Sequence, residues 1–282
     1  MEKICDLHSH SVYSDGTFTP TELLDAAEAA GLSALALTDH NTVEGLNDFS
    51  TAAQGREIEI VRGTEFTTAY NGIELHILGL FIRPETYKEI NEYIDRATRL
   101  KEESNYRLVD KLRKHGYDIT YVDILENSKG HINRANIAAE LVKKGYLKTI
   151  SEGFKTILSK KYGLYEPPER LSSLETISFI RSIGAVAVWA HPYIHMNFEQ
   201  AEEFLPKAID HGLQGMETLY TLYSDETIIK AKEVCHRFGL CESGGSDFHG
   251  ANKPDIFLGK GKGNLQIPYE FYENLRSLAD GS

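Results

Sequence analysis

Short apolar runs alternate with capped helical patterns over residues 1–84 and 168–282 of this 282-residue chain, and few folds accept that rhythm. Ile4 to Leu7 reads as a strand. Thr19-Pro20-Thr21-Glu22 then supplies a capping box with proline at the first helical position, and Gly31 closes the helix. Ala34 to Thr38 is a second strand, a helical pattern runs from Val43 to Ala53, and strands follow at Glu57 to Arg62 and Ile73 to Leu80. The spacing predicts a parallel α/β sheet or barrel, a fold that reaches this length as one unit.

The rhythm stops over residues 85–167, which read as a helical insertion: a long charged amphipathic helix to His115, then shorter helices near Ala135 to Lys143 and Glu152 to Lys160. After Pro167-Pro168, a second capping signal at Ser172-Ser173-Leu174-Glu175 opens a helix ending at Gly184, and Ala185 to Trp189 is a buried strand. Strands at Leu213 to Leu219 and Leu240 to Ser243 alternate with helices at Phe198 to His211, Asp225 to Phe238 and Tyr269 to Leu278. The expected organisation is a barrel domain of residues 1–84 and 168–282, with residues 85–167 as a substrate-binding cap.

No apolar run approaches the ~18 residues of a membrane span, so a soluble chain with no membrane partner is expected. The first residues show no basic, apolar and small-residue succession, and the three cysteines, Cys5, Cys235 and Cys241, have no paired spacing. Both features point to the cytoplasm, with reduced thiols. A net charge of −12 argues against duplex DNA as a partner. The charge is uneven: Glu85 to Arg170 holds 17 Lys and Arg against 14 Asp and Glu, a local +3, so the insertion is the segment best suited to an anion.

In a parallel barrel the working residues follow the C-terminal ends of strands, where the loops converge. His8 and His10 follow the first strand, His40 the second and Glu65 the third. His76 lies in the fourth, His191 follows Ala185 to Trp189, and Asp247 and His249 follow the last. On an extended segment His8 and His10 share one face, as do Asp247 and His249. Mixed imidazole and carboxylate donors suit Mn²⁺, Fe²⁺ or Zn²⁺ better than the oxygen shells of Mg²⁺ or Ca²⁺, and a carboxylate such as Glu65 can bridge two ions.

Four segments, Asp6-Leu-His-Ser-His10, Thr38-Asp-His40-Asn41, Ala190-His-Pro192 and Gly245-Ser-Asp-Phe-His249, resemble the motifs of the polymerase and histidinol phosphatase (PHP) family. The resemblance implies a distorted (β/α)7 TIM-like barrel and two or three divalent ions. It implies one ion on His8, His10, Glu65 and Asp247, a second on Glu65, His76 and His191, and a third on Asp15, His40 and His249. Some members carry histidine where this chain has Asp15. The segment Gly130 to Val142 further resembles a subgroup containing nucleoside 3′,5′-bisphosphate phosphatases and a 5′-to-3′ exoribonuclease of short RNA. Where that subgroup usually shows Arg-Pro-His, this chain has Arg134-Ala135-Asn136. Arg134 and Asn136, with Lys160 and Lys161, are the candidate substrate contacts, because a guanidinium grips phosphate through two parallel hydrogen bonds.

The expected chemistry is phosphate-ester hydrolysis, preferentially of the 3′-phosphate of a nucleoside 3′,5′-bisphosphate. Water made acidic between two ions is the nucleophile, and Glu65, Asp15 and His249 are the catalytic candidates. The alternatives are removal of nucleotides from the 5′ end of short single-stranded RNA, hydrolysis of another small phosphomonoester such as histidinol phosphate, and a catalytically silent module binding metal or nucleotide. A silent module has no need of a complete donor set. Plainer readings exist residue by residue: an isolated strand histidine is usually structural, Ser14-Asp15-Gly16 is also a turn sequence, Arg134 can be a solvated side chain, and paired lysines are usually solvated faces. Cys5 reads as a small buried residue rather than a nucleophile. His115, His131, His195, His211 and His236 lack motif context and receive no role.

Overall fold

The computed structural model describes residues 3–126, 132 and 134–281. By internal contacts the chain divides into two compact units, Met1–Asn91 with Leu171–Ser282, and Glu92–Arg170.

The first unit is a nearly closed barrel with surrounding helices. In chain order it contains β1 (Ile4–Asp6), α1 (Pro20–Ala29), β2 (Leu32–Leu37), α2 (Leu46–Ala52), β3 (Glu59–Tyr70) and β4 (Ile73–Leu80). α3 (Tyr87–Lys114) begins in the first unit and enters the second at Glu92; the second unit continues with α4 (Tyr121–Glu126), α5 (Arg134–Lys143) and α6 (Ile150–Lys155). The barrel resumes with β5 (Leu171–Ser172), α7 (Ser173–Ser182), β6 (Val186–Ala190), α8 (Pro192–His195), α9 (Phe198–Asp210), β7 (Gly215–Tyr220), α10 (Asp225–Arg237), β8 (Cys241–Gly245) and α11 (Tyr269–Asp280). None of the described helices is long and apolar enough to cross a membrane.

Seven strands form the wall in the order β1-β2-β3-β4-β6-β7-β8, and short β5 pairs with β3. Closure is made beyond the strand ends: Leu7 N–H donates to Gly244 O at 3.1 Å, Asp247 N–H to His8 O at 2.9 Å and His10 N–H to Phe248 O at 2.9 Å. Gly245 permits this approach, since a Cβ there would lie 2.2 Å from His8 Cβ.

One strand runs against the rest. β3 does not end at Arg62 as the apolar pattern suggests; it continues to Tyr70 and turns back into β4, which is antiparallel to both β3 and β6. The turn is Asn71-Gly72, with φ values of 49° and 80°, the left-handed pair that a two-residue hairpin requires. This reversal carries His76, in the first half of β4 and opposite Thr67 and Ala190, to the end of the barrel where the parallel strands finish.

Inward-facing positions change character along the barrel axis. Val61 on β3, Leu78 and Leu80 on β4, Val186 and Val188 on β6 and Cys5 on β1 join Ile267, Phe271, Tyr272 and Leu275 in one buried apolar cluster. Two-residue steps along the same strands lead from Val61 through Gly63 to Glu65, and from Leu80 through Leu78 to His76. α11 contributes Phe271, Tyr272 and Leu275 to the apolar end; each fully buried side chain of this size adds roughly 1.5–3 kcal/mol. The other end is left for polar groups.

Capping follows the sequence closely. Thr19 and Glu22 form the full capping box at α1, Ser172 Oγ accepts from Glu175 N–H at α7, and Asn197 with Gln200 makes a further box at α9. The second unit has its own core of Leu108, Leu112, Ile119, Ile137, Leu141 and Leu158, among others. Its last helix is shorter than the pattern suggests: α6 stops at Lys155, and Lys160–Tyr162 form a separate 3-10 turn.

Candidate metal centre

The end of the barrel where the strands finish gathers all nine donor side chains named from the sequence. His8, His10 and Asp247 form one group whose donor atoms lie within 4.8 Å of one another; His8, Glu65 and His191 form a second. His40, Glu65 and His76 form a third, and His10, Asp15, His40 and His249 a fourth. Glu65 is shared as the resemblance implies, while His8, His10 and His40 also serve two groups each.

Glu65 lies at the centre, fully buried. Its Oε1 is 2.7 Å from His76 Nδ1 and 3.1 Å from His191 Nε2, and its Oε2 is 3.0 Å from His40 Nδ1 and 3.3 Å from both His8 Nε2 and His10 Nε2. Backbone bonds hold it there: Glu65 N–H donates to Asp39 O, and Asn41 N–H donates to Glu65 O. Asn41 has a left-handed φ of 47°, stabilised by side-chain bonds to the Thr67 hydroxyl and backbone at 3.0 Å each.

His191 and Asp247 are themselves in the left-handed region, with φ of 31° and 57°. Such a conformation costs a branched or bulky residue about 1–3 kcal/mol and persists where surrounding bonds enforce it. Here they do: His191 N–H donates to Glu217 Oε2 at 2.6 Å and Asp247 N–H to His8 O at 2.9 Å. Asp15 is the one donor on an exposed loop, its side chain 56% exposed; Oδ1 lies 3.2 Å from His249 Nε2 and 3.7 Å from His10 Nδ1.

Proton bookkeeping shows that this cluster is built for cations. His8 Nε2 and His10 Nε2 face each other at 3.1 Å. The buried atoms His10 Nδ1, Glu65 Oε2, His76 Nε2 and His191 Nδ1 have no hydrogen-bond partner. Unpaired lone pairs buried this closely are costly unless positive charge sits among them. Burial opposes a proton on His8, but Glu65 and Glu217 outweigh it and lift its pKa well above the usual imidazole value. His10 likewise rises to about 9, against burial, through Asp247 and Glu65. Burial also works against ionised Glu65 and Asp247, yet the neighbouring histidines hold both carboxyls well below the ordinary range. His249 differs: burial and the charge of His10 push it down to about 4, and its Nδ1–H donates to Asp247 O at 2.8 Å, leaving Nε2 as a free lone pair. Divalent ions fit this donor set.

A cleft of about 180 Å³ opens beside the cluster, lined by His40, Glu65, His76, His191, Tyr220 and Asp247, together with Ile194, His195 and Lys253. The sequence reading missed three polar groups there. Lys253 Nζ and Tyr220 OH both donate to Asp247 Oδ2, at 2.8 and 2.9 Å, and the His195 ring centre lies 5.6 Å from that of His76. It also missed Glu217, fully buried on β7, whose Oε1 accepts from His8 Nδ1–H at 2.9 Å. A lone acid within the otherwise uncharged strand Gly215–Tyr220 was the available signal.

The candidate substrate contacts lie in the second unit. The Arg134 guanidinium stacks 4.1 Å from the Tyr165 ring centre and 5.1 Å from that of Phe154, and donates to Leu158 O at 3.4 Å. Asn136 is half-buried on α5, and Lys160 and Lys161 are exposed on the 3-10 turn. Gly130, His131 and Asn133 of the segment that carries the subgroup resemblance lie outside the described residues.

An α/β barrel whose mouth brings six imidazoles and two aspartates around one shared glutamate defines a metal-dependent hydrolase. The chain belongs to the PHP family: the PHP domain matches residues 6–165, and the protein is a hydrolase of phosphate esters that depends on divalent metal. It is 30% identical over 253 residues to a 5′-3′ exoribonuclease of Haemophilus influenzae, spanning 88% of this chain and 91% of that one. It is 31% identical over 254 residues to a 3′,5′-nucleoside bisphosphate phosphatase of Chromobacterium violaceum, spanning 86% of each. A solved structure from Bifidobacterium adolescentis, assigned as a metal-dependent phosphoesterase, superposes with a TM-score of 0.67 at 27% identity over 98% of this chain and 96% of its own.

Proposed function

We propose that this chain is a nucleotide phosphatase that removes the 3′-phosphate of a nucleoside 3′,5′-bisphosphate, using two or three ions of Mn²⁺, Fe²⁺ or Zn²⁺ held by His8, His10, Asp15, His40, Glu65, His76, His191, Asp247 and His249. The observation that carries the reading is the complete donor set with its unpaired buried lone pairs, since a silent binding module has no need of all nine. The similarity to the bisphosphate phosphatase of Chromobacterium violaceum supports the substrate. The ions supply acidified water and mask phosphate charge.

The protein's own groups do the rest. Glu65, with imidazole nitrogens around both of its oxygens, would hold the ions at the centre of the cluster. Lys253 and Tyr220 fix Asp247 from behind and leave its Oδ1 facing His10 at 3.2 Å. Asp15 and His249, 3.2 Å apart at the exposed side of the cluster, would orient the water that gives its proton to the leaving alkoxide. His249 gives its Nδ1–H to Asp247 O and turns Nε2 to the cluster. Arg134 grips the second phosphate through the in-plane N–H edge of its fork not given to Leu158 O, with Asn136, Lys160 and Lys161 as supporting contacts, and the helical unit acts as the substrate-binding cap.

The second reading is a 5′-to-3′ exoribonuclease of short RNA, supported by the similarity to the Haemophilus influenzae enzyme. Manganese-loaded protein assayed against nucleoside monophosphates, 3′,5′-bisphosphates and 5′-phosphorylated oligoribonucleotides separates the two. Faster phosphate release from the bisphosphate supports the first reading, mononucleotide release from RNA the second, and silence on all three sinks both. Three free cysteines, two of them buried, support a reducing compartment such as the cytoplasm.

A further inference from the structure

Glu217 is not among the nine donors, yet its carboxylate is fully buried on β7 and both of its oxygens are taken by the site. Oε1 accepts from His8 Nδ1–H at 2.9 Å, and Oε2 accepts from the backbone N–H of His191 at 2.6 Å. We propose that Glu217 is a positioning residue, fixing which ring nitrogen of His8 faces the ions and locking His191 in its left-handed backbone, so that β7 sets metal affinity. The inference rests on the metal-site reading above.

A carboxylate can only accept, so His8 must carry its proton on Nδ1. Nε2, 3.1 Å from His10 Nε2 and 3.3 Å from Glu65 Oε2, is then the nitrogen turned to the cluster, and its lone pair is the one a metal meets on displacing the second proton. At the other oxygen, the short bond to the His191 amide offsets the strain of φ 31° and aims the ring so that Nε2 lies 3.1 Å from Glu65 Oε1. The two rings stand nearly parallel with centres 5.6 Å apart. One side chain thus couples a donor after β1 to a donor after β6. A buried carboxylate is costly unless its acceptors are met, and partners that hold a metal-binding imidazole by its far nitrogen typically contribute 10–100-fold in affinity.

Glu217→Gln tests this with almost no change of shape. An amide has one acceptor oxygen and one NH₂ group, while two N–H donors face it. Relief requires His8 to move its proton to Nε2, which removes that nitrogen as a ligand. Titration of the metal-free protein with zinc, followed by metal analysis after dialysis, should show affinity lower by about 10–100-fold or the loss of an ion per chain, while far-UV circular dichroism stays that of the parent. If the variant fails to fold, the zinc-loaded parent decides through ¹⁵N-edited NMR. His8 should show zinc-shifted Nε2 and a downfield, slowly exchanging Nδ1–H. A Gln variant with parental zinc affinity and stoichiometry, or a His8 without a proton on Nδ1, overturns the role of Glu217 alone. A parent that binds neither zinc nor manganese overturns both this inference and the reading beneath it.

Discussion

Lys253 Nζ lies 2.8 Å from Asp247 Oδ2, on the side of the carboxylate opposite to the histidines, whose ring nitrogens face Oδ1 instead. The ammonium is partly exposed and, among the described residues, is the one Lys or Arg side chain lining the cleft. While the cluster is empty of metal it balances the charge of Asp247. Once ions take up that charge, the same ammonium is free to meet a phosphate oxygen in the cleft. Lys253→Met should therefore raise KM for phosphate esters about tenfold, roughly 1.4 kcal/mol, while Tyr220 OH still holds Asp247 Oδ2 and keeps metal content close to that of the parent. Steady-state kinetics beside metal analysis check it, and an unchanged KM would remove Lys253 from substrate binding.

Glu65 is the carboxylate that every other argument passes through, with five imidazole nitrogens within 3.3 Å of its two oxygens. Glu65→Gln keeps the shape but removes the negative charge at the centre of the cluster. Turnover should fall by roughly 10³-fold, the scale of losing a main electrostatic group at the reacting centre. Bound manganese, measured by electron paramagnetic resonance of the washed protein, should fall with it. Full metal content with full activity would show that the ions do not depend on this residue.

Metal loading should release protons. In the metal-free protein His10 has a pKa of about 9 and His8 lies well above the usual imidazole value, so both hold protons at neutral pH that a cation must displace. Apparent affinity therefore climbs as pH rises from neutrality toward 9. Glu65 and Asp247, held below the ordinary carboxyl range, and His249, at about 4, are already deprotonated and contribute nothing in that window. Calorimetry of manganese binding in buffers of different ionisation enthalpy measures the release directly, and pH-independent affinity between 7 and 9 would contradict the charge balance of the cluster.

Removing metal should destabilise the barrel. The cluster packs unpaired lone pairs and ionised carboxylates into a largely buried site, a cost that bound cations offset. Ligand linkage alone gives about 2.7 kcal/mol at a hundredfold excess of ion over its Kd, which for a domain of this size moves the melting temperature by several degrees. Differential scanning calorimetry with manganese and with a chelator should show the shift. Its absence would mean that the folded chain does not bind the ion in preference to the unfolded one.

Much of the donor set was legible in the sequence because barrel strands deliver their functional residues at one end, and histidine and carboxylate spacings of two mark a shared face. Helix starts were legible for a local reason: Thr19 with Glu22, and Ser172, satisfy orphan N–H groups whatever the tertiary context. The direction of β4 was not read, because apolar content says nothing of strand sense; the Asn71-Gly72 pair held that information. Glu217, Tyr220 and Lys253 escaped because each is joined to the cluster by a hydrogen bond to a residue distant in sequence or past a turn, and only the closed barrel brings β7 and the segment after β8 against His8 and Asp247. The ending of α6 at Lys155 depends on Thr156, whose backbone leaves the helical region with ψ of −116°, a choice no periodicity dictates.

Arg134 offers the sharpest test of substrate identity. Its guanidinium is stacked against Tyr165 and Phe154, so its plane is fixed before any ligand arrives, and lysine cannot reproduce that planar fork. Arg134→Lys should therefore raise KM for a nucleoside 3′,5′-bisphosphate by about tenfold, the loss of one two-point phosphate contact. Hydrolysis of an aryl phosphate, which has no second phosphate to grip, should be unaffected. Arg134→Ala should match the kinetic pattern and also cost the helical unit about 0.5–1 kcal/mol of cation–π stacking, visible in chemical denaturation. Losses of equal size on both substrates would mean that Arg134 supports the fold of its own unit and does not read the second phosphate.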